Sequence, residues 1–125
     1  MSVAADTSSL IAFFAGENGP DTVQITEALR NGQIALPPIV LTELLSDKKS
    51  FSTLSAVVSA WPLLDISEDY WLRAAKMRSE LIAKGYKPKV PDTLIAQSCI
   101  DHDVALITRD GDFRHFTKHC GLKLA

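Results

Sequence analysis

Four acidic residues sit where an extended segment hands over to a helix, or just inside that helix. They are Asp6 in Ala4-Ala5-Asp6-Thr7-Ser8, Glu43 in Leu41-Thr42-Glu43-Leu44-Leu45, Asp92 in Val90-Pro91-Asp92-Thr93-Leu94, and Asp110 in Leu106-Ile107-Thr108-Arg109-Asp110-Gly111-Asp112-Phe113. Each has a bland reading. Asp6 and Asp92 are good helix caps, and Asp110 and Asp112 flank a glycine in a turn. Glu43 is the only charge between Ile39 and Leu45, so the face it can show to solvent is narrow. Gathered at one place, the acids mean something else. Two like charges ~4 Å apart cost about 4 kcal/mol at an effective dielectric of 20. A stable fold avoids that cost unless a cation sits among them. An oxygen-only donor set favours a hard cation, Mg²⁺ or Mn²⁺, and such a cluster suits hydrolysis of a phosphodiester.

The elements that must bring the acids together alternate. Ser2–Ala5, Ile34–Leu36, Leu63–Ile66, Val104–Thr108 and Leu122–Leu124 read as strands. Helices are expected over Leu10–Phe14, from Asp21 or Thr22 to Leu29, over Ile39–Leu45, over Phe51–Ala60, from Glu68 behind a Ser67 cap to about Lys84, and from an Asp92 cap onward. On the long fifth helix, Trp71, Ala74, Ala75, Leu81 and Ile82 share the spacing of a core-facing stripe. Pro91 should keep Val90 extended. No tight hairpin signal occurs. The pattern predicts an α/β fold with helices on both faces of a mainly parallel sheet. Ligands in such folds bind at the carboxyl ends of the strands, where Asp6, Glu43 and Asp110 should lie together. Asp92 joins them if its helix runs antiparallel to the strand that follows.

Composition narrows the choice. The chain has 125 residues, enough for one core and one domain, and a net charge of −2. That balance argues against a passive nucleic-acid coat, but not against a nuclease whose positive charge comes from a metal. The two cysteines, Cys99 and Cys120, form no paired framework, which suits a reduced cytoplasmic setting. No signal peptide and no membrane span are expected. There is no Gly-rich phosphate loop. His115, His119 and Cys120 have a spacing that zinc could use, but a fourth ligand is not evident. Lys84, Lys87 and Lys89 precede Asp92 in a Gly- and Pro-containing connector, where they could hold phosphates or merely be solvated.

The ordered set Asp6-Thr7-Ser8, Thr42-Glu43-Leu44, Pro91-Asp92-Thr93-Leu94-Ile95-Ala96 and Leu106 to Phe113 resembles a PIN domain. More narrowly, it is similar to the VapC toxins of type II toxin–antitoxin systems. The resemblance spans essentially the whole chain, 1–125. It implies a PIN-like three-layer α/β/α fold and a Mg²⁺- or Mn²⁺-dependent endoribonuclease that cleaves RNA and stops translation. It implies Asp6, Glu43, Asp92 and Asp110 as the catalytic acids, with Asp6 and Asp92 as direct metal ligands and Glu43, Asp110 and Asp112 as further candidates. Ser8 and Thr108 match supporting polar positions. A cognate antitoxin and a toxin homodimer are implied as partners. Two other classes fit the same residues: a PIN-like nuclease of RNA processing with no antitoxin, and a catalytically silent binding module.

Overall fold

A computed structural model describes all 125 residues. Two three-residue strands, β1 (Val3–Ala5) and β2 (Ala105–Ile107), pair in parallel with Val3 opposite Ala105 and Ala5 opposite Ile107. Single parallel bridges extend the sheet on both sides: Val3 with Ile34, Leu36 with Leu63, and Leu106 with Leu124. The five segments expected to be strands therefore occupy one parallel sheet. Three of them touch it at one or two residues only. Leu63–Ile66 is the clearest departure, because Leu63 and Ile66 are exposed and only Leu64 is buried. With Leu64 alone buried, that segment has little apolar area to gain from a longer ladder.

Seven helices surround the sheet: α1 (Thr7–Phe14), α2 (Pro20–Arg30), α3 (Pro38–Leu44), α4 (Lys48–Val58), α5 (Tyr70–Ala83), α6 (Val90–His102) and α7 (Arg114–Cys120). A 3₁₀ turn, Gly111–Phe113, precedes α7. The expected α/β arrangement around a parallel sheet is the one the chain adopts. Helix α1 packs on α2 and α3, α6 on α3 and α5, and α7 on α5. Leu10, Ile25, Leu36, Val40, Leu81, Leu106, Phe113 and Phe116 are among the side chains closed off in the centre. No helix is long and apolar enough to cross a membrane.

Helices α1 and α4 start at Thr7 and Lys48, three residues ahead of the expected Leu10 and Phe51, because Asp6 and Asp47 cap them, and α2, α5 and α6 also start differently from the sequence expectation. Helix α2 is capped by Gly19, not by Asp21 or Thr22, because Pro20 is already pre-set for the first helical position and has no N–H to lose there. Helix α5 starts at Tyr70. Asp69 caps it in the left-handed region at φ 59°, and Ser67 instead donates its hydroxyl to Asp101. Ala74 and Leu81 face inward as the stripe predicts, but their partners on that face are Tyr70 and Met77. Trp71 and Ile82 are left 64% and 47% exposed. Helix α6 begins at Val90, with extended Lys89 as its cap and Asp92 third in line, so Val90 is helical and Asp92 is no cap. Pro91 is tolerated because first-turn amides have no intrahelical acceptor, and the Thr93 amide closes the turn on the Lys89 carbonyl at 3.0 Å.

Candidate metal centre

In a parallel sheet all carboxyl ends point one way. Asp6 follows β1 directly, and its amide donates to the Ile107 carbonyl at 3.0 Å, extending the ladder by one residue. Its side chain is 3% exposed and caps α1 by accepting the Ser9 amide at 2.9 Å. The Ser8 hydroxyl donates to both carboxylate oxygens at 3.1 and 2.9 Å, and the Thr108 hydroxyl to Oδ2 at 2.6 Å. The cap reading of Asp6 is thus correct, and the same carboxylate still lines an open cleft. Three donor groups meet a carboxylate with about four lone-pair directions, which leaves room for one more partner.

That cleft, about 240 Å³, is lined by Asp6, Thr7, Ser8, Ile11, Glu43, Asp92, Ile95 and Asp110. The four acids named from the sequence therefore face one space. Glu43 reaches it from the last turn of α3, where Thr7 Oγ1 donates to Oε1 at 2.8 Å. Asp92 reaches it from the first turn of α6, and its carboxylate accepts no hydrogen bond from the protein. Burial, then the charges of Asp110, Asp112 and Glu43, push the Asp92 carboxyl up to about 6, with Lys89 opposing them. Asp110 accepts the Asp112 amide at 2.9 Å on Oδ1, and its own amide donates to Thr108 Oγ1 at 2.9 Å. Thr108 is therefore the link between Asp6 and the Asp110 turn.

Asp92, Asp110 and Asp112 each offer an oxygen, and these three lie within 4.8 Å of one another. Asp112 is exposed, and the nearest cation is Lys89, whose Nζ is 3.8 Å from its Oδ2. Lys84 and Lys87 are also exposed. Lys84, at the end of α5, is one of the charges that hold the His119 imidazole below its usual range, after burial and Lys118. The cleft contains no imidazole and no thiolate. His115 stacks on Tyr86 with centroids 4.5 Å apart, and His119 Nε2 shares a 3.0 Å hydrogen bond with the Tyr86 hydroxyl. The C-terminal histidines thus serve to pin the connector rather than to gather zinc with Cys120. A larger apolar groove of about 410 Å³ between α5 and α6 holds no carboxylate.

Sequence reasoning missed one pair behind the site, Arg109 and Asp21. Arg109 lies between Thr108 and Asp110 yet turns to Asp21, which it meets through Nε at 2.7 Å. Arg109 lies within the Leu106–Phe113 motif and Asp21 at a candidate cap, but 88 positions separate them and nothing local pairs them. A lone acid in a first helical turn gives no sequence signal beyond capping.

The PIN domain family model matches residues 3–119, and the chain belongs to that family. PIN domains as a class are nucleases that use divalent metal. Among solved structures, the chain is similar to the crystal structure of VapBC2 from Rickettsia felis bound to a DNA fragment from their promoter. The two are 25% identical with a TM-score of 0.76, over 100% of this chain and 98% of that one. It is also similar to a toxin–antitoxin complex from Klebsiella pneumoniae, at 27% identity and a TM-score of 0.69, over 97% and 95% of the two chains. The VapBC-5 structure from Mycobacterium tuberculosis, 21% identical with a TM-score of 0.69, shares the fold. No curated protein matches the chain at a significant level.

Proposed function

We propose that this protein is the toxin of a type II toxin–antitoxin pair, a VapC-type endoribonuclease that hydrolyses RNA phosphodiester bonds with Mg²⁺ or Mn²⁺. The observation that carries the reading is the cleft shared by Asp6, Glu43, Asp92 and Asp110. The likeness to two toxin–antitoxin structures over nearly their whole length supports the toxin class and a cognate antitoxin. A homodimer and a cytoplasmic setting belong to the same reading.

The donor set fits the metal. Every polar side chain lining the cleft offers oxygen, as a hard divalent cation requires. Asp6 and Asp92 would hold it directly, with Asp110 and Asp112 within reach of Asp92. When bound, such a cation supplies positive charge opposite a phosphate oxygen and makes a water acidic enough to attack. The protein's own residues do the rest. Ser8, Thr108 and the Ser9 amide fix Asp6 in one orientation, so no side-chain ordering remains to be done when substrate arrives. Glu43 is anchored through Oε1 alone, and Oε2 is left to align a water against the phosphate. Asp92 has no protein donor to satisfy it, which is the condition of a carboxylate waiting for a cation.

The test is cleavage of total cellular RNA by the purified protein, with Mn²⁺ and with EDTA, in the presence and absence of the protein encoded next to it. Metal-dependent cleavage suppressed by that neighbour is the expected result. Metal-dependent cleavage that the neighbour leaves unaffected would turn the assignment to an RNA-processing nuclease. No cleavage under any condition would leave a binding module.

Lys89 stands beside the acids, and Lys84 and Lys87 are further exposed lysines of the same stretch that could meet an RNA backbone. Lys89 is held weakly to Asp112, since an exposed pair at 3.8 Å contributes little. Replacing all three by Gln should weaken RNA binding and flatten its salt dependence by about two to three phosphate contacts, a slope change of ~2 for a single strand. A filter-binding series from 50 to 200 mM salt measures this. An unchanged slope would assign the lysines to solvent.

A further inference from the structure

The turn that carries Thr108 and Asp110 is held from behind by a residue with no place in the acidic cleft. Arg109 donates Nε to Asp21 Oδ2 at 2.7 Å and an Nη2 hydrogen to Oδ1 at 3.2 Å, a two-pronged grip. Its Nη1 is 3.6 Å from Glu17 Oε1. Asp21 is 5% exposed, and the Arg109 guanidinium, against the cost of burial, holds its carboxyl at about 2. The surroundings are shaped to the pair. A Cβ on Gly19 would stand 2.7 Å from Asp21 Oδ1 and 3.5 Å from the guanidinium, so no larger residue fits while the pair is closed. The buried Ser9 hydroxyl, which has no partner at ordinary hydrogen-bond length, also helps to keep Asp21 charged. The amide of that same Ser9 caps onto Asp6.

We propose that Arg109 and Asp21 form a positioning pair for the acidic centre, a role that rests on the nuclease reading above. Successive side chains of an extended segment point to opposite sides. Arg109, drawn toward α2, leaves Thr108 and Asp110 directed the other way. Thr108 then meets Asp6 at 2.6 Å and receives the Asp110 amide, and Asp110 takes its place within reach of Asp92. The pair fixes the distance between carboxylates contributed by β1, α6 and the turn after β2. It touches neither metal nor substrate.

The experiment compares wild type with Arg109→Ala, Arg109→Lys and Gly19→Ala. The last keeps both charges and displaces the Asp21 carboxylate. In metal-free buffer the amides of Asp110 and Asp112, which are held only by Thr108 Oγ1 and Asp110 Oδ1, report the order of the turn through hydrogen exchange. Arg109→Ala should speed exchange at both amides at least tenfold, while amides from Ile95 to Cys99 within α6 stay within about twofold. Mn²⁺ affinity by calorimetry should fall about tenfold, and kcat should fall with little change in KM for RNA. Arg109→Lys, with the charge but not the fork, should recover part of the Mn²⁺ affinity. Gly19→Ala should repeat the exchange pattern, and it carries the test if Arg109→Ala does not fold. Unchanged exchange and unchanged Mn²⁺ affinity in a folded variant would overturn the proposal, even with a lowered Tm. If wild type itself neither binds Mn²⁺ nor cleaves RNA, the nuclease reading fails, and the exchange measurement still decides the positioning role.

Discussion

Asp92→Asn is expected to reduce RNA cleavage at least ~100-fold, the upper end of what even outer-sphere changes cost at metal sites, without loss of folding. Growth arrest on expression should disappear with it. Asn keeps the shape and removes the charge, and the Asp92 carboxylate accepts no protein hydrogen bond that the amide would break. Glu43→Gln should behave alike, since its one contact, from Thr7 to Oε1, can go to the Gln carbonyl. Asp6→Asn is a poorer probe. Asp6 accepts from Ser8, the Ser9 amide and Thr108, and an amide nitrogen must face one of those donors. Its mismatch in a buried site costs about 1–3 kcal/mol, so lost activity there mixes folding with chemistry. Circular dichroism and soluble yield separate the two. Folded Asp92→Asn and Glu43→Gln proteins that cleave RNA as wild type does would remove hydrolysis at this cleft from consideration.

The same Asp92 carboxylate predicts a stability difference of opposite sense in the absence of metal. Burial and neighbouring acids raise it from its ordinary 3.8 to about 6. Between those values the folded chain keeps the proton and the unfolded chain releases it. Stability attached to this group is therefore complete below about pH 4, falls as pH rises, and is gone above about pH 6. A displacement of that size corresponds to about 3 kcal/mol as a ceiling. Asp92 is partly exposed and screened by water, so about 1 kcal/mol is the expected measurable size. Asp92→Asn removes this dependence. In EDTA, the difference in urea midpoint between variant and wild type should be near zero at pH 4 and favour the variant at pH 7.5. Mn²⁺ should reverse the order at pH 7.5, because it binds and stabilises the wild type by mass action. A variant less stable than wild type in EDTA at pH 7.5 would make Asp92 a structural residue.

How much of the fold and the site is legible in the sequence follows the range of the interactions. Asp6 is readable both as a cap and as a site residue, because a cap is set within three residues and the strand before it is apolar. The parallel sheet is readable from alternation, although Leu63–Ile66 shrinks to one bridge. A local rule about the residue before proline misplaces the cap of α6 by three residues, at Asp92 instead of Lys89. The outcome matters for the site, since Asp92 is released from capping and left free in the cleft. On α5 the periodicity is correctly helical and Ala74 and Leu81 do face inward, but Trp71 points outward.

The sequence by itself picked out the candidate acids and their order, each by its immediate neighbours, and the family resemblance added the hydroxyls of Ser8 and Thr108 beside them. Only the tertiary structure decided what each carboxylate touches. Thr108 donates to Asp6 across 102 positions, Thr7 to Glu43 across 36, and Arg109 to Asp21 across 88. The first exists because the parallel register of β1 and β2 brings both strand ends to one edge, and the other two because α3 packs on α1 and α2 on β2. Local propensities act over about four residues and carry no information about such pairings, which come from the packing of the whole chain.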